Sequence, residues 1–149
     1  MGVRGIFCLI LLSVVLQKSF QTTLYVLPFE QQVLNAHNYY RAMHNAPPLT
    51  LNPKLSELAS NWANKLMTKN HLKHSQNGYG ENIYWASFSK QEGKDVVKAW
   101  YNEISLYNWN NPSFSKQTGH FTQLVWKSST ELGVGFAKRL KYLVLIYHL

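Results

Sequence analysis

Apolar positions recur at helical spacing in three stretches of this 149-residue chain. In "FEQQVLNAHNYYRAMH", residues 29–44, the side chains of Val33, Leu34, His37, Tyr40 and Arg41 fall on one face. "NAPPLTLNP" stops that helix, because paired prolines end a helix and favour extended chain. Asn52 then stands as an N-cap with Pro53 at the first helical position, and Leu55, Leu58, Ala59, Trp62 and Leu66 line the face of a second helix. A loop with Gly78 and Gly80 leads into an apolar stretch around Ile83 and Trp85. A third helix is predicted over 89–109, with Val96, Val97, Trp100, Ile104 and Tyr107 on one side.

"NNPSFSKQTG" reads as a loop and "HFTQLVWKSS" as a short helix or helix-like turn. "ELGVGFA" and "YLVLIYHL" read as two strands joined by the basic turn "KRLK". The pattern predicts an α+β domain over residues 29–149, with helices layered on a small antiparallel sheet. The run 142–147 becomes an aggregation-prone edge if no neighbour covers it.

Composition narrows the class. Length and hydrophobic content suit one globular domain. The first 21 residues differ from the rest: Arg4 precedes an apolar stretch over 6–16, too short to span a bilayer and of the length of a signal-peptide core. Secretion to the extracellular space is the expectation, with membrane association along the secretory pathway as the alternative. Ile6 stands where an N-myristoylation motif needs Ser or Thr. The single cysteine, Cys8, lies in the leader, so cysteine chemistry is excluded from the remaining domain.

The net charge is +8, and without Arg4 and Lys18 the 13 remaining basic residues against 7 acidic ones leave +6. That balance favours anionic partners such as acidic membrane surfaces. Its basic residues are scattered and form no nucleic-acid motif, so nucleic acid is not expected as a partner.

Four residues stand out as able to do chemistry: His74, Glu81, Glu103 and His120. If they converge, two imidazoles and two carboxylates suit zinc or another divalent cation, or acid–base work with Glu81 as base. If they do not, they are unrelated surface and capping residues. His37 and His44 are rival ligands seven positions apart, and His37 reads as a hydrogen-bonded histidine on a packed face. His71 reads as solvated, and His148 as uninformative.

The segments "AHNYYRAMHNAPPLTLNPKLSELASNWANKL", "HSQNGYGENIYWAS", "VVKAWYNEISLYNW" and "GHFTQLVWKSSTELGVGFA", in that order, resemble the CAP superfamily of cysteine-rich secretory, antigen-5 and pathogenesis-related 1 proteins. Within it the chain is most like the Golgi-associated, cysteine-poor branch. The resemblance implies a three-layer α-β-α sandwich with a central cleft in which His74, Glu81, Glu103 and His120 form a tetrad, the histidines binding a divalent ion. It also implies binding of lipid, sterol or anionic head groups, and a homodimer in some members. It raises Ser87 as a nucleophile, but no Gly-x-Ser-x-Gly elbow surrounds it. The closing segment that family members carry after the last strand is missing from "KRLKYLVLIYHL".

The expected function is therefore that of a secreted binding protein. Two alternatives stand beside it: a metal-dependent hydrolase using Glu81, and an extracellular defence or reproductive interaction module acting through the loop 110–116.

Overall fold

The computed structural model describes residues 27–69, 71–87, 92–139 and 142–148. The leader read over 1–21, with Cys8, lies outside the described residues, as do the side chains of Ser87 and His148. No helix among the described residues is long and apolar enough to cross a membrane.

Helix α1 spans Phe29–Met43, with Glu30 in its first turn and Arg41 in its last, charges that complement the helix dipole. The short strand β1, Thr50–Leu51, follows the proline pair. Helix α2 spans Pro53–Lys69, and its start matches the sequence reading. Asn52 Oδ1 accepts from the backbone N–H groups of Lys54 (2.9 Å) and Leu55 (3.2 Å). Its buried face departs from expectation: Leu55, Ala59, Ala63, Leu66 and Met67 are covered, whereas Leu58 is exposed.

Strand β2 is Glu81–Ser87 and helix α3 is Gly93–Tyr101, opened by a reciprocal Glu92–Asp95 capping box. The predicted third helix does not stay α-helical. Beyond Tyr101 it tightens into a 3₁₀ turn, Asn102–Leu106. Helix α4 is Gly119–Leu124, and the hairpin strands are β3, Glu131–Arg139, and β4, Tyr142–His148.

The four strands lie in the order β1-β3-β4-β2. Strand β4 is antiparallel to both β2 and β3 along its whole length. It is therefore interior, and the feared exposed edge at 142–147 is closed by β2. The sheet is mixed where a wholly antiparallel one was expected. Thr50 and Leu51 pair in parallel with Glu131 and Leu132, because β1 is followed by the crossover helix α2 and not by a tight turn.

Two cores flank the sheet. Val33, Leu49, Val96, Val97, Trp100, Leu124, Leu132 and Val134 join α1, α3 and α4 to one face. Ala59, Ala63, Leu66, Met67 and Ala137 join α2 to the other. Strand β3 decides this division with its period of two. Leu132 and Val134 enter the first core, while Gly133 and Gly135 meet the backbone of α2 so closely that any Cβ would overlap Leu55, Ala59 or Ser60. The result is the α-β-α layering.

Candidate functional site

Glu103, on the 3₁₀ turn, faces the first turn of α4. Its Oε1 lies 2.6 Å from His120 Nδ1, and its Oε2 accepts from the backbone N–H groups of His120 (3.0 Å) and Phe121 (3.1 Å). A carboxylate at the start of α4 thus satisfies two N–H groups that the helix cannot pair itself. The indole of Trp100 stacks on the His120 ring, with centroids 5.8 Å apart and planes 16° apart.

The second pair is built by the glycine loop. Gln76 and Gly78 adopt positive φ values of 58° and 88°, turning the chain back so that His74 meets the first residue of β2. His74 Nδ1 is 2.6 Å from Glu81 Oε1, which also accepts from Ser75 N–H at 3.1 Å. The Glu81 side chain is nearly buried, at 4% exposed, and His74 is open at 67%.

Buried Asn82 ties the pairs together, donating from Nδ2 to the His120 carbonyl oxygen at 3.0 Å. His74, Glu81, Lys116, His120 and Gln123 line one cleft of about 440 Å³. Glu103 stands behind His120 and does not line it.

Since an ionised carboxylate can only accept, Nδ1 of each ring carries a proton, and in the neutral imidazole Nε2 is then the lone-pair nitrogen. A carboxylate on the far nitrogen of an imidazole is the arrangement that orients metal-binding histidines. The donor number is low, however. Among the described residues no group of three or more His, Cys, Asp or Glu side chains is placed to hold a metal ion. Two imidazole donors alone fall one protein ligand short of a catalytic zinc site.

The rival histidines are elsewhere. His37 is buried, with Nδ1 3.0 Å from the Val33 carbonyl, and burial lowers its pKa to about 4. His44 Nε2 lies 3.0 Å from the Tyr101 hydroxyl, and its pKa is also lowered by burial. His71 is exposed in the loop.

Two features escaped the sequence reading. Arg41 is fully buried and donates to the carbonyls of Pro47, Leu124, Trp126 and Ser129 at 2.8–3.0 Å. It pins the C-terminal end of α4, and burial lowers its pKa. Its only signal was a cation on the apolar face of a predicted helix. The other feature is an aromatic cavity of about 520 Å³ beside α4, lined among others by His44, Tyr107, Trp109, Phe121 and Trp126. Its residues come from three separate segments, each of which reads alone as ordinary packing.

The model of the cysteine-rich secretory protein family, CAP, matches residues 34–147. The chain belongs to the CAP family. This CAP domain is 44% identical over 113 residues to the Golgi-associated plant pathogenesis-related protein 1 of Homo sapiens, covering 73% of each chain. It is also 44% identical over 107 residues to Repressed by EFG1 protein 1 of Candida albicans, covering 70% of this chain and 38% of that longer one. Among solved structures, NaASP2 with Zn2+ superposes with a TM-score of 0.62 at 25% identity, covering 80% of this chain and 78% of that one. The family match runs into β4, as far as residue 147.

Proposed function

We propose that this CAP domain is an extracellular binding protein whose His/Glu cleft takes a divalent cation through His74 and His120, and whose neighbouring surface takes lipid, sterol or anionic head groups. One observation carries the cation half: two imidazoles on one cleft, each with Nδ1 held by a carboxylate at 2.6 Å. Glu81 and Glu103 then serve as orienting groups, raising ligand basicity and fixing ring direction. A zinc-containing structure in the same family supports the reading. The secretory leader read in the sequence supports an extracellular location. Basic charge and the aromatic cavity support the lipid half.

The hydrolytic alternative has less support, because Glu81 Oε1 is occupied by His74 and Ser75 and the metal donors number two. Zinc titration by calorimetry tests the proposal. Binding by the wild type that His74→Ala and His120→Ala each abolish is expected. A folded wild type that takes up no zinc overturns the cation half.

A further inference from the structure

Outside the His/Glu cleft, one tyrosine hydroxyl stands between two side chains that differ sharply as hydrogen-bond acceptors. The Tyr101 hydroxyl lies 3.0 Å from His44 Nε2 and 3.8 Å from the thioether sulfur of Met43. Met43 and His44 are consecutive at the C-terminal end of α1, and Tyr101 is the last residue of α3. A hydroxyl carries one proton, so it donates to one of the two at a time. A thioether is a weak acceptor and the bare nitrogen of a neutral imidazole a better one. Burial lowers the pKa of His44, which keeps the ring neutral at pH 7. The Tyr101 proton therefore goes to Nε2, and His44 carries its own proton on Nδ1.

Packing holds both rings where they are. The Tyr101 ring stacks on Tyr40, with centroids 3.9 Å and planes 17° apart, and meets Phe121 edge-on. The His44 ring lies parallel to Trp109 and edge-on to Phe121, on the wall of the aromatic cavity. A change of acceptor strength at residue 43 is thus answered by moving a proton and not by moving a ring.

Met43 is also the methionine that solvent reaches. It is 52% exposed, whereas Met67 is 8% exposed and packed between α2 and the sheet. Met1, the third methionine, lies outside the described residues. Peroxides oxidise methionine sulfur, and access decides which one reacts first. The sulfur lone pair attacks one oxygen of hydrogen peroxide, and the S–O bond forms as the O–O bond breaks. The departing hydroxide takes up the remaining proton and leaves as water. Sulfur loses two electrons and the peroxide gains them. The product is a polar sulfoxide, whose oxygen is a strong acceptor, and reductases return it to the thioether.

We propose that Met43 is a reversible oxidation site for hydroperoxides, and that its sulfoxide takes the Tyr101 proton and switches His44 to the tautomer protonated on Nε2. In the reduced chain Tyr101 donates to His44. In the oxidised chain Tyr101 donates to the sulfoxide, and His44 Nε2–H donates to the Tyr101 oxygen in return. The imidazole lone pair then sits on Nδ1, so the polar edge that His44 gives the aromatic cavity changes while the surrounding rings stay in place.

The test treats the full chain with hydrogen peroxide and locates the added oxygen by peptide mass spectrometry, beside long-range proton–nitrogen NMR of the histidine rings. Met43 is expected to gain oxygen before Met67 and to lose it again with methionine sulfoxide reductase. With that gain, the His44 Nε2 signal is expected to shift from the range of a bare ring nitrogen to that of a protonated one, and to return on reduction. Met43→Leu should abolish the shift. Tyr101→Phe should leave Met43 oxidisable and break its link to His44. Circular dichroism checks that each chain is folded.

Met43 and Met67 oxidised in step in the folded chain would overturn the oxidation site. Met43 oxidised with His44 unshifted, or a shift that persists in Met43→Leu, overturns the coupling. A His44 already protonated on Nε2 before oxidation overturns it too.

Discussion

Glu103 grips His120 through three hydrogen bonds, one to the ring and two to the backbone of the helix that carries it. The carboxylate therefore does two jobs, capping α4 and setting the direction of an imidazole. The two jobs can be separated. Glu103→Ala is expected to cost about 1–3 kcal/mol, by leaving partly buried N–H groups without an acceptor. Glu103→Gln keeps an acceptor oxygen and should cost less, yet weaken cation binding, since the amide neither bears the charge nor accepts through both ends. Urea denaturation beside zinc titration checks both.

Arg41 sets the other end of the same helix. Removing its guanidinium leaves backbone carbonyls of Pro47, Leu124, Trp126 and Ser129 without their donor. Arg41→Leu is expected to lose about 3 kcal/mol or more in urea denaturation. Arg41→Lys should recover only part, because an ammonium cannot present the planar fork that reaches four carbonyls.

Acid should destabilise the domain through buried imidazole. The His37 pKa falls from 6.5 to about 4, by desolvation first, with a smaller lowering from Arg41 set against a raising by the Val33 carbonyl. Between those two values the unfolded chain binds a proton that the folded chain does not, so stability falls as pH drops through that window and levels off below it. The loss from His37 is on the order of 3 kcal/mol, and His44, shifted in the same direction, adds to it. Denaturation curves measured across the window should show this slope, and His37→Gln should flatten it.

Gly135 faces the backbone of α2 at Ala59 and Ser60, where no flexible side chain can yield. Gly135→Ala is expected to cost about 3 kcal/mol or more, or to prevent folding, as read by thermal denaturation. Gly78→Ala meets no neighbour but must hold a φ of +88°, so it should cost less and disturb mainly the His74 loop.

Local signals in the chain made much of this legible. Asn52 and Pro53 announced the start of α2, and the alternation in 131–137 announced β3. The sequence puts Glu103 on an α-helix, because Val96, Trp100, Ile104 and Tyr107 keep helical spacing across a point where the backbone tightens to 3₁₀. Leu58 shares the apolar spacing yet is exposed, because spacing does not say which edge of a helix face the sheet covers. The parallel partner of β1 depends on a contact about 80 residues away, and two extended residues carry no pattern that reveals it. The pairing of His74 with Glu81 and of His120 with Glu103 was open in the residues alone. The family resemblance pointed to a tetrad of the four, and not to which imidazole meets which carboxylate.

The central claim is that His74 and His120 present Nε2 to one cleft while carboxylates hold Nδ1. Long-range proton–nitrogen NMR of the imidazole rings reads this directly, before and after zinc is added. The account predicts Nδ1-protonated tautomers for both rings without metal, and movement of the Nε2 signals of His74 and His120 together on zinc addition. Movement of other histidines with these two unchanged would contradict it.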